Sequence, residues 1–297
     1  MNILITGANG FLGKKVTKKL LDDGHYVRAL VIPEEDCTYL AGFGTSIDIV
    51  RGDLTKPETL KGVMHDIEVV IHLAAILNCP DEKLNMLINF EGTKNIADLA
   101  EKAGVERFVF TSSMTATSPK PNAYGLSKKL AEEHLRKKKF LSVIIRPTLL
   151  YGKEGITFQK LVGMINMLPF IVPVIGSGKA KKQPIYIEDA AELLTKAALV
   201  PLKQSKVYQI GGPDAVPFTK YVKMILRAEG KKKVLIHAPK WVVWPMLTMA
   251  EMITKNLPIT REGILELETS TEVDADVLER DFRMKLTPLE IGIKKSL

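Results

Sequence analysis

The sequence is poor in the residues that build disulfide frameworks and metal centres. It has two cysteines in 297 residues, Cys37 and Cys79, and neither stands at a spacing typical of a metal site or a disulfide scaffold. Its five histidines have no companions that suggest zinc, and we interpret His72 as a packing and hydrogen-bonding residue. We therefore expect a protein of a reducing compartment that binds no metal.

Long apolar runs are also lacking. The longest, 241–253, is about one-third shorter than a membrane span and is interrupted by Pro245 and Glu251. A strand predicted from residue 2 leaves no room for a signal peptide, so we expect a cytoplasmic protein. Apolar residues make up 46% of the chain, which is enough for a large core.

Acidic residues are scarce in the middle of the chain. Net charge is +8, and residues 151–240 carry 15 Lys and Arg against 6 Asp and Glu. No recognition helix and no stacking-aromatic motif accompanies this charge, so we expect no nucleic-acid binding. Most of these lysines are expected to be ordinary solvated side chains. Together they would attract a cofactor phosphate, an anionic substrate or a lipid surface.

The first half of the chain alternates short apolar strands with helices. The predicted strands are 2–6, 26–31, 47–50, 68–73, 107–111 and 141–146, and the predicted helices are 11–21, 57–64, 83–103 and 123–139. Near-continuous apolar strands separated by helices predict a parallel sheet covered on both faces. We therefore predict an α/β fold with a Rossmann-type doubly wound parallel sheet, whose ligands lie beyond the carboxyl ends of the strands.

The second half is less regular. We predict helices at 156–168, 188–199, 218–229, 240–255 and 259–268, strands at 207–210 and 234–237, and a loop-rich crossing over 169–184. The strand 207–210 is expected to return to the main sheet. The predicted domains are a dinucleotide-binding domain, 1–155 plus about 185–212, and a smaller C-terminal substrate lobe, 156–184 plus 213–297.

A glycine-rich turn follows the first strand. Gly7, Gly10 and Gly13 have the spacing G-x-x-G-x-x-G, and an apolar helix begins within it at Phe11 and Leu12. Glycines let the backbone turn tightly and approach a pyrophosphate, whose charge the N–H groups and dipole of the helix start then stabilise. The turn predicts nucleotide binding at the carboxyl end of the first strand.

A second motif predicts proton transfer. Tyr124 and Lys128 stand four residues apart near the start of a predicted helix, and therefore on one face. An adjacent ammonium stabilises the phenolate, so that the tyrosine oxygen can pass a proton near neutral pH. Ser112 and Ser113 follow a predicted strand, and a hydroxyl there could hydrogen-bond a substrate oxygen beside the tyrosine.

These motifs resemble the extended or atypical short-chain dehydrogenases/reductases, the NAD-dependent epimerase/dehydratase family. The matching segments follow the family order through the first half: 6–13, 52–54, 72–75, 89, 92–95, 110–113, 124–128 and 146–152. Segments 183–190 and 208–213 extend the resemblance. Segments 211–217, 239–245 and 257–263 are most similar to the branch that includes the accessory dehydrogenase-like subunit of respiratory complex I.

The resemblance implies particular roles. Tyr124 would be the general acid/base, and Lys128 would bind the nicotinamide ribose and tune the tyrosine. Ser113, with Ser112 as the alternative, would polarise the reacting oxygen. Asp53 would accept from the adenine amino group, with the Leu54 backbone beside it. The other cofactor-binding residues would be Thr6, Gly7, Gly10, Phe11, Leu12, Gly13, Ala74, Ala75, Asn89 and Pro147.

The end of the second strand departs from the family pattern. Val31 stands where an NAD enzyme usually has an acid, and Ile32 stands where an NADP enzyme usually has an arginine. Without the acid a 2′-phosphate is not repelled, and Arg28 or Lys14 could reach it, so we expect NADP rather than NAD. Acidic residues 34–36 reaching the ribose would reverse that expectation.

Two functions are open from the sequence. The first is an NAD(P)-dependent oxidoreductase, epimerase or dehydratase that acts on an alcohol/ketone centre of a small molecule, anionic or lipid-like. The second is a nucleotide-holding structural or regulatory protein with little turnover, in peripheral contact with a membrane through the basic segment and the helix 240–255. Core packing is the simpler explanation of that helix. Because Tyr124 and Lys128 are both present, we favour the enzyme; a homodimer is compatible with either function.

Overall fold

The computed structural model describes residues 1–77, 79–241, 243–245, 248, 263 and 268–297. The predicted helices 240–255 and 259–268 lie largely outside the described residues. The chain divides into two compact units. The first comprises Met1–Pro147, Ile187–Ile210 and Val277–Met284, and the second comprises Thr148–Tyr186, Gly211–Asp276 and Lys285–Leu297.

The described residues form thirteen strands and ten α-helices. The strands are β1 (Asn2–Thr6), β2 (Tyr26–Val31), β3 (Ile47–Arg51), β4 (Val69–His72), β5 (Arg107–Thr111), β6 (Leu141–Pro147), β7 (Leu150–Tyr151), β8 (Ile171–Ile175), β9 (Lys181–Lys182), β10 (Ile185–Tyr186), β11 (Lys206–Ile210), β12 (Val216–Pro217) and β13 (Val234–Ala238). The helices are α1 (Phe11–Asp22), α2 (Thr38–Ala41), α3 (Glu82–Asn85), α4 (Gly92–Lys102), α5 (Ala123–Leu135), α6 (Ile156–Asn166), α7 (Ile187–Leu199), α8 (Phe218–Ala228), α9 (Asp276–Phe282) and α10 (Leu289–Ser296). Short 3-10 turns lie at Gly44–Ser46, Pro57–Leu60 and Met114–Thr117, and a π-helical turn lies at Met86–Glu91.

The first unit is built on a seven-stranded sheet. The strand order is β11-β6-β5-β4-β1-β2-β3, and every neighbouring pair is parallel. The predicted fold class is therefore confirmed, including the return of β11 to the edge of the main sheet beside β6. The order reverses at β1 and β4, so the carboxyl ends of these strands form the crevice where ligands of such sheets bind.

The core of this unit lies on both faces of the sheet. On one face Leu4, Val70 and Phe108 pack with Ile96 of α4 and Leu135 of α5, all of them fully buried. Helices α1 and α7 contact each other, and α7 also contacts β4 and β5. Because the central strands are covered on both sides, they are apolar at consecutive positions rather than at alternate ones.

The described residues of the second unit form three two-stranded pairings. Strand β7 pairs with β10, β8 with β13, and β9 with β12. The predicted loop-rich crossing 169–184 thus contains two strands. The prolines that favoured a loop include Pro173, which lies within β8, where the burial alternates between Val172, Pro173 and Val174.

Several helices also differ from their predicted bounds. The predicted helix 57–64 is only the 3-10 turn Pro57–Leu60. The predicted helix 83–103 is divided into α3, the π-helical turn and α4. Within the described part of the chain, no helix combines the length and the apolar composition needed to cross a membrane.

Candidate nucleotide and proton-transfer site

The glycine turn brings three backbone segments into contact at the carboxyl end of β1. Gly7 adopts a φ of +70°, and a Cβ there would lie 2.8 Å from the backbone nitrogen of Ala74. A Cβ on Gly13 would lie 2.0 Å from the carbonyl oxygen of Gly7. Both positions therefore need glycine, because the atoms they approach belong to the backbone and cannot rotate away.

The start of α1 presents backbone donors at this turn. Gly10 is the exposed N-cap residue, makes no side-chain capping bond, and is followed by a first turn without acidic residues. The first N–H groups of a helix have no partner inside the helix, and the helix dipole favours negative charge near them. Phe11 and Leu12 are half-buried beside Gly10, so this end of the helix fits a pyrophosphate.

A buried chain of hydrogen bonds joins the last residue of β1 to the last residue of β4 and to α4. The Nδ1 atom of His72 lies 2.6 Å from Thr6 Oγ1, and its Nε2 lies 2.8 Å from Thr93 Oγ1. Thr93 Oγ1 donates to the Asn89 carbonyl, so Nε2 must be the donor and Nδ1 the acceptor. Burial lowers the pKa of His72 to about 3, which keeps it neutral. These contacts confirm the interpretation of His72 as a packing and hydrogen-bonding residue.

Asn89 supports the loop after β4 and is not part of an accessible wall. It is fully buried within the π-helical turn. Its Oδ1 accepts from the backbone nitrogen of Ile76 at 2.8 Å, and its Nδ2 donates to the carbonyl oxygen of the same residue at 3.0 Å. Ala74 and Ala75, which this pairing holds in place, are half-buried at the carboxyl edge. The structure therefore shows Asn89 positioning the loop after β4.

Asp53 and Leu54 follow β3 at the same edge of the sheet. Asp53 Oδ1 accepts from the Thr55 side chain at 2.7 Å and from its backbone nitrogen at 2.8 Å. These bonds, the side-chain bond first, lower the pKa of Asp53, so the carboxylate is a charged acceptor. Leu54 is buried beside it, 8% exposed. The Asp53 carboxylate at this edge could therefore accept a hydrogen bond from an adenine amino group.

Arg28 does not reach the nucleotide edge. Its Nε donates to Asp48 Oδ2 at 2.6 Å, and its Nη1 donates to the carbonyl oxygens of Val63 and His65 at 3.2 and 2.9 Å. Residues 63–65 precede β4, so the guanidinium lies toward the amino edge of the sheet. The hypothesis that Arg28 could reach a 2′-phosphate is therefore wrong. The Lys14 ammonium lies 5.1 Å from the Tyr39 ring centroid.

Two residues that the sequence reading missed organise the loop after β2. Asn9 Nδ2, within the glycine turn, donates to Glu35 Oε1 at 3.2 Å and to the Asp36 carbonyl oxygen at 2.6 Å. Arg51 Nη1 donates to carbonyl oxygens of this loop, those of Ile32 and Glu35 at 3.2 and 3.3 Å. Arg51 is the last residue of β3, which pairs with β2. A contact of Arg51 with the loop after β2 could have been predicted from that strand pairing.

Helix α5 begins against the turn that follows β5. Asn122 Oδ1 accepts from the Gly125 nitrogen at 2.9 Å and caps the helix. A Cβ on Gly125 would lie 2.7 Å from the Thr115 carbonyl oxygen, so the helix can approach this turn only with glycine there. Half-buried Tyr124 is thus held beside the turn that half-buried Ser113 caps.

The hydroxyl of Ser113 is oriented by its neighbours. Its Oγ accepts from the Thr115 nitrogen at 3.1 Å and from Thr115 Oγ1 at 2.9 Å. Neither bond uses the proton of Ser113, which can therefore be donated to a third group. Ser112 differs: it is 2% exposed, and its Oγ donates to Glu132 Oε1 at 2.6 Å. This arrangement favours Ser113 over Ser112 as the residue that contacts a ligand.

Lys128 is buried one helical turn after Tyr124. Its side chain is 2% exposed, and Nζ donates to the Thr111 carbonyl oxygen at 2.9 Å. Nζ also lies 4.7 Å from the Phe110 ring centroid and 5.9 Å from the Tyr124 ring centroid. Burial lowers the pKa of Lys128 to about 7, while the charge of Glu132 acts in the opposite direction. Below about pH 7 a cation whose charge is weakly compensated thus lies beside the tyrosine ring.

Glu132 is a further buried charge that the sequence reading missed. It is 2% exposed and accepts from Arg146 Nε at 2.8 Å, besides the bond from Ser112. Arg136 Nη2 bonds its other oxygen at 3.1 Å. The bond to Glu132 raises the pKa of Arg146. This cluster fixes the carboxyl ends of β5 and β6, where buried Pro147 ends β6.

The predicted site residues are therefore collected at one edge of one unit. They end or follow β1, β3, β4, β5 and β6, or lie in α1, in the π-helical turn Met86–Glu91 and in α5. Among the residues that the structure describes, no cluster of three or more His, Cys, Asp or Glu could hold a metal ion.

Comparison with known proteins agrees with this geometry. The model of the NAD dependent epimerase/dehydratase family matches residues 3–211. The chain is 28% identical to a ceramide reductase of Caulobacter vibrioides, over 80% of this chain and 73% of the relative. It is 25% identical to a 3 beta-hydroxysteroid dehydrogenase/Delta 5-->4-isomerase of Mycobacterium tuberculosis, over 81% of this chain and 74% of the relative.

A solved structure shares the whole fold. The UDP-glucose 4-epimerase of Thermotoga maritima superimposes with a TM-score of 0.77 at 19% identity, and the match covers 100% of this chain and 97% of that one. At that identity the likeness concerns the fold alone.

Proposed function

The chain belongs to the NAD dependent epimerase/dehydratase family, and we propose that it is an oxidoreductase that interconverts an alcohol and a ketone. The bound dinucleotide would supply or accept the hydride. The residues of this chain would hold the dinucleotide and move the accompanying proton: the glycine turn and the start of α1 would bind the pyrophosphate, and Tyr124 would act as the general acid/base.

One observation carries the proposal. The Lys128 ammonium is buried 5.9 Å from the Tyr124 ring centroid, and Gly125 lets the same helix lie against the turn capped by Ser113. A desolvated cation beside a phenol favours the phenolate, and so assists proton transfer to and from the tyrosine oxygen. The proton of Ser113 would hydrogen-bond the reacting oxygen of the substrate.

The loop after β2 supports NAD rather than the NADP expected from the sequence. Glu35 is held at the glycine turn by Asn9, in the region where the adenosine ribose of such a cofactor would lie. A carboxylate there accepts from ribose hydroxyls and repels a 2′-phosphate. Arg28 lies toward the opposite edge, and Arg51 already donates to the carbonyl oxygens of this loop.

The cofactor preference is tested by replacing Glu35 with glutamine and measuring the dissociation constants of NAD and NADP by calorimetry. We expect the wild type to prefer NAD, and the variant to lose about tenfold of that preference because one repulsive charge is gone. Glu34→Gln, at the neighbouring exposed position, is the matched control. A wild type that prefers NADP would contradict this assignment.

The named relatives suggest the substrate class. The two curated relatives are, by name, a ceramide reductase and a 3β-hydroxysteroid dehydrogenase. Each name denotes a large apolar molecule. We accordingly propose a lipid-like alcohol or ketone as the substrate of this chain.

Replacement of Tyr124 by phenylalanine tests the reaction. We expect the variant to bind NAD with unchanged affinity and to lose at least about 100-fold in turnover, because general acid–base catalysis contributes on that order. The assay follows transfer of deuterium from labelled NADH to a panel of sterol and long-chain ketones. Tyr26→Phe, at an exposed strand position, is the control.

Two outcomes would contradict the proposal. Equal turnover in the Tyr124 variant and the wild type would remove the tyrosine from the chemistry. A wild type that retains nucleotide tightly but exchanges no deuterium with any ketone of the panel would favour the alternative, a nucleotide-holding protein.

A further inference from the structure

The second unit exposes a short apolar loop between α6 and β8. Met167, Leu168 and Phe170 are 63%, 37% and 77% exposed, and Pro169 between them is exposed as well. We call residues 167–170 the apolar loop. Four consecutive exposed residues without charge on a turn are unusual for a surface that meets only water.

A run of lysines lies directly against this loop. The carbonyl oxygen of Phe170 accepts from the backbone nitrogen of Val234 at 2.9 Å, so residues 231–233, which immediately precede Val234, are its neighbours. We call Lys231–Lys233 the lysine collar. Lys233 Nζ donates to the Leu168 carbonyl oxygen at 2.8 Å, which ties the collar to the loop.

Loop and collar together form a concave feature. A surface pocket of about 320 Å³ is lined by Asn166, Pro169 and the three lysines of the collar. Lys231 Nζ bonds Asn166 Oδ1 at 2.8 Å and Glu229 Oε1 at 3.0 Å, whereas Lys232 is exposed at the surface. The pocket therefore offers positive charge beside an apolar edge.

The apolar edge continues along β13. Val234 and Ile236 are 65% and 46% exposed. Alternate residues of a strand point to the same face, so these two side chains extend one surface away from the apolar loop. The combined surface therefore has exposed apolar side chains directly beside a run of three lysines.

We propose that this surface docks the protein on a membrane that contains anionic phospholipids. The apolar loop would enter the interface between head groups and acyl chains, while exposed Lys232 would bind a head-group phosphate and the other two lysines of the collar would add to the local positive charge. Apolar burial and attraction to anionic lipids are the two contributions that make interfacial binding stable. The charge of the collar argues against a second copy as the occupant, because a two-fold contact would bring two identical lysine clusters together.

The lysine collar lies within the basic segment 151–240 that was expected to contact a membrane, but the proposed apolar part is the apolar loop and not the helix 240–255. Trp241 is as exposed as Phe170, at 78%, but it follows the opposite end of β13. The five residues of β13, about 16 Å of extended strand, lie between Lys233 and the segment that leads to Trp241. Trp241 is thus a matched control: a large exposed aromatic residue in the same unit that lies away from the collar.

The test measures partition of the full-length protein onto vesicles by sedimentation at low salt. One vesicle set is pure phosphatidylcholine, and the other contains 30% phosphatidylglycerol. We expect binding only to the anionic set, with loss of binding at high salt. Phe170→Ala should weaken the partition coefficient about tenfold, and Lys232→Glu by about tenfold or more, since it reverses a charge. Trp241→Ala should leave it unchanged.

Other outcomes would overturn the proposal. Equal binding to both vesicle sets, or a loss caused by Trp241→Ala and not by Phe170→Ala, would place the contact elsewhere. Binding of inorganic phosphate without vesicle binding would make the pocket a site for a free anion. Self-association in sedimentation velocity that Phe170→Ala abolishes, without vesicle binding, would make the surface a contact between copies. Unchanged NAD affinity of each variant serves as the folding control.

Discussion

Replacing Lys128 with methionine should make the folded protein more stable while removing its proposed chemistry. The side chain is 2% exposed, and burial lowers its pKa from 10.5 to about 7. A lowered lysine pKa means that the unfolded chain binds the proton more tightly than the folded one. Between pH 7 and 10.5 the unfolded state therefore carries more protons, and the stability of the wild type rises with pH.

The size of the effect follows from that difference in pKa. Folding with Lys128 costs about 4 kcal/mol at pH 7 and about 2 kcal/mol at pH 9, compared with a neutral side chain. Methionine removes this cost but leaves the Thr111 carbonyl oxygen without its 2.9 Å bond, a loss of about 1 kcal/mol. The net gain in the free energy of unfolding should be about 3 kcal/mol at pH 7 and about 1 kcal/mol at pH 9.

Urea unfolding of both proteins at the two pH values measures this gain. Lys129→Met is the control, because its side chain is exposed on the same helix, and its effect should be small and equal at both pH values. A gain for Lys128→Met that does not change between pH 7 and pH 9 would refute the reasoning, since only the proton of a desolvated lysine gives the difference its pH dependence. The variant should also lose turnover.

Two further substitutions test the packing around the site. Gly13→Ala places a Cβ 2.0 Å from the Gly7 carbonyl oxygen, so it should lower the free energy of unfolding by about 3 kcal/mol and weaken NAD binding. The control, Gly163→Ala, lies in α6 with open space around it and should raise the free energy of unfolding by about 0.5–1 kcal/mol. Similar thermal unfolding of the two variants would contradict this prediction. Glu132→Gln leaves the Arg146 guanidinium without its charged partner and should lower the free energy of unfolding in urea by about 3 kcal/mol. The control, Glu133→Gln at the exposed neighbouring position, should change it by less than about 0.5 kcal/mol. Equal losses in the two variants would show that Glu132 is not a buried ion-pair partner.

The parallel sheet could be predicted because the apolar residues of each strand indicate that strand without reference to its neighbours. Strands β2 and β5 have the predicted bounds, since strands buried on both faces are apolar at nearly every position. Strand β8 was not predicted because Pro173 within it favours a loop, and because its partner β13 lies some 60 residues later in the chain. The π-helical turn was missed because the apolar spacing of helix 83–103 does not distinguish one continuous helix from a helix with a local widening.

The candidate site likewise has parts that the sequence could predict and parts that it could not. Tyr124, Lys128 and the glycine turn are local motifs, so the spacing within each is readable from the sequence. Contacts between distant residues are not: Asn9 reaches Glu35 across 26 positions, and Arg28 finds its partners toward the amino edge. Which of two adjacent serines faces the surface depends on Glu132, a residue 20 positions after Ser112.

The buried charges explain why the lysine stays costly. Glu132 stands one helical turn after Lys128 and its charge raises the pKa of that lysine, yet both oxygens of Glu132 are bonded by Arg146 and Arg136. The carboxylate therefore compensates the arginines first, and its effect on the pKa of Lys128 is smaller than that of burial. A closer counterion would stabilise the fold but cancel the field at the Tyr124 ring. Positive charge beside a phenol favours the phenolate, so under the proposed mechanism this arrangement would lower stability and assist proton release by Tyr124.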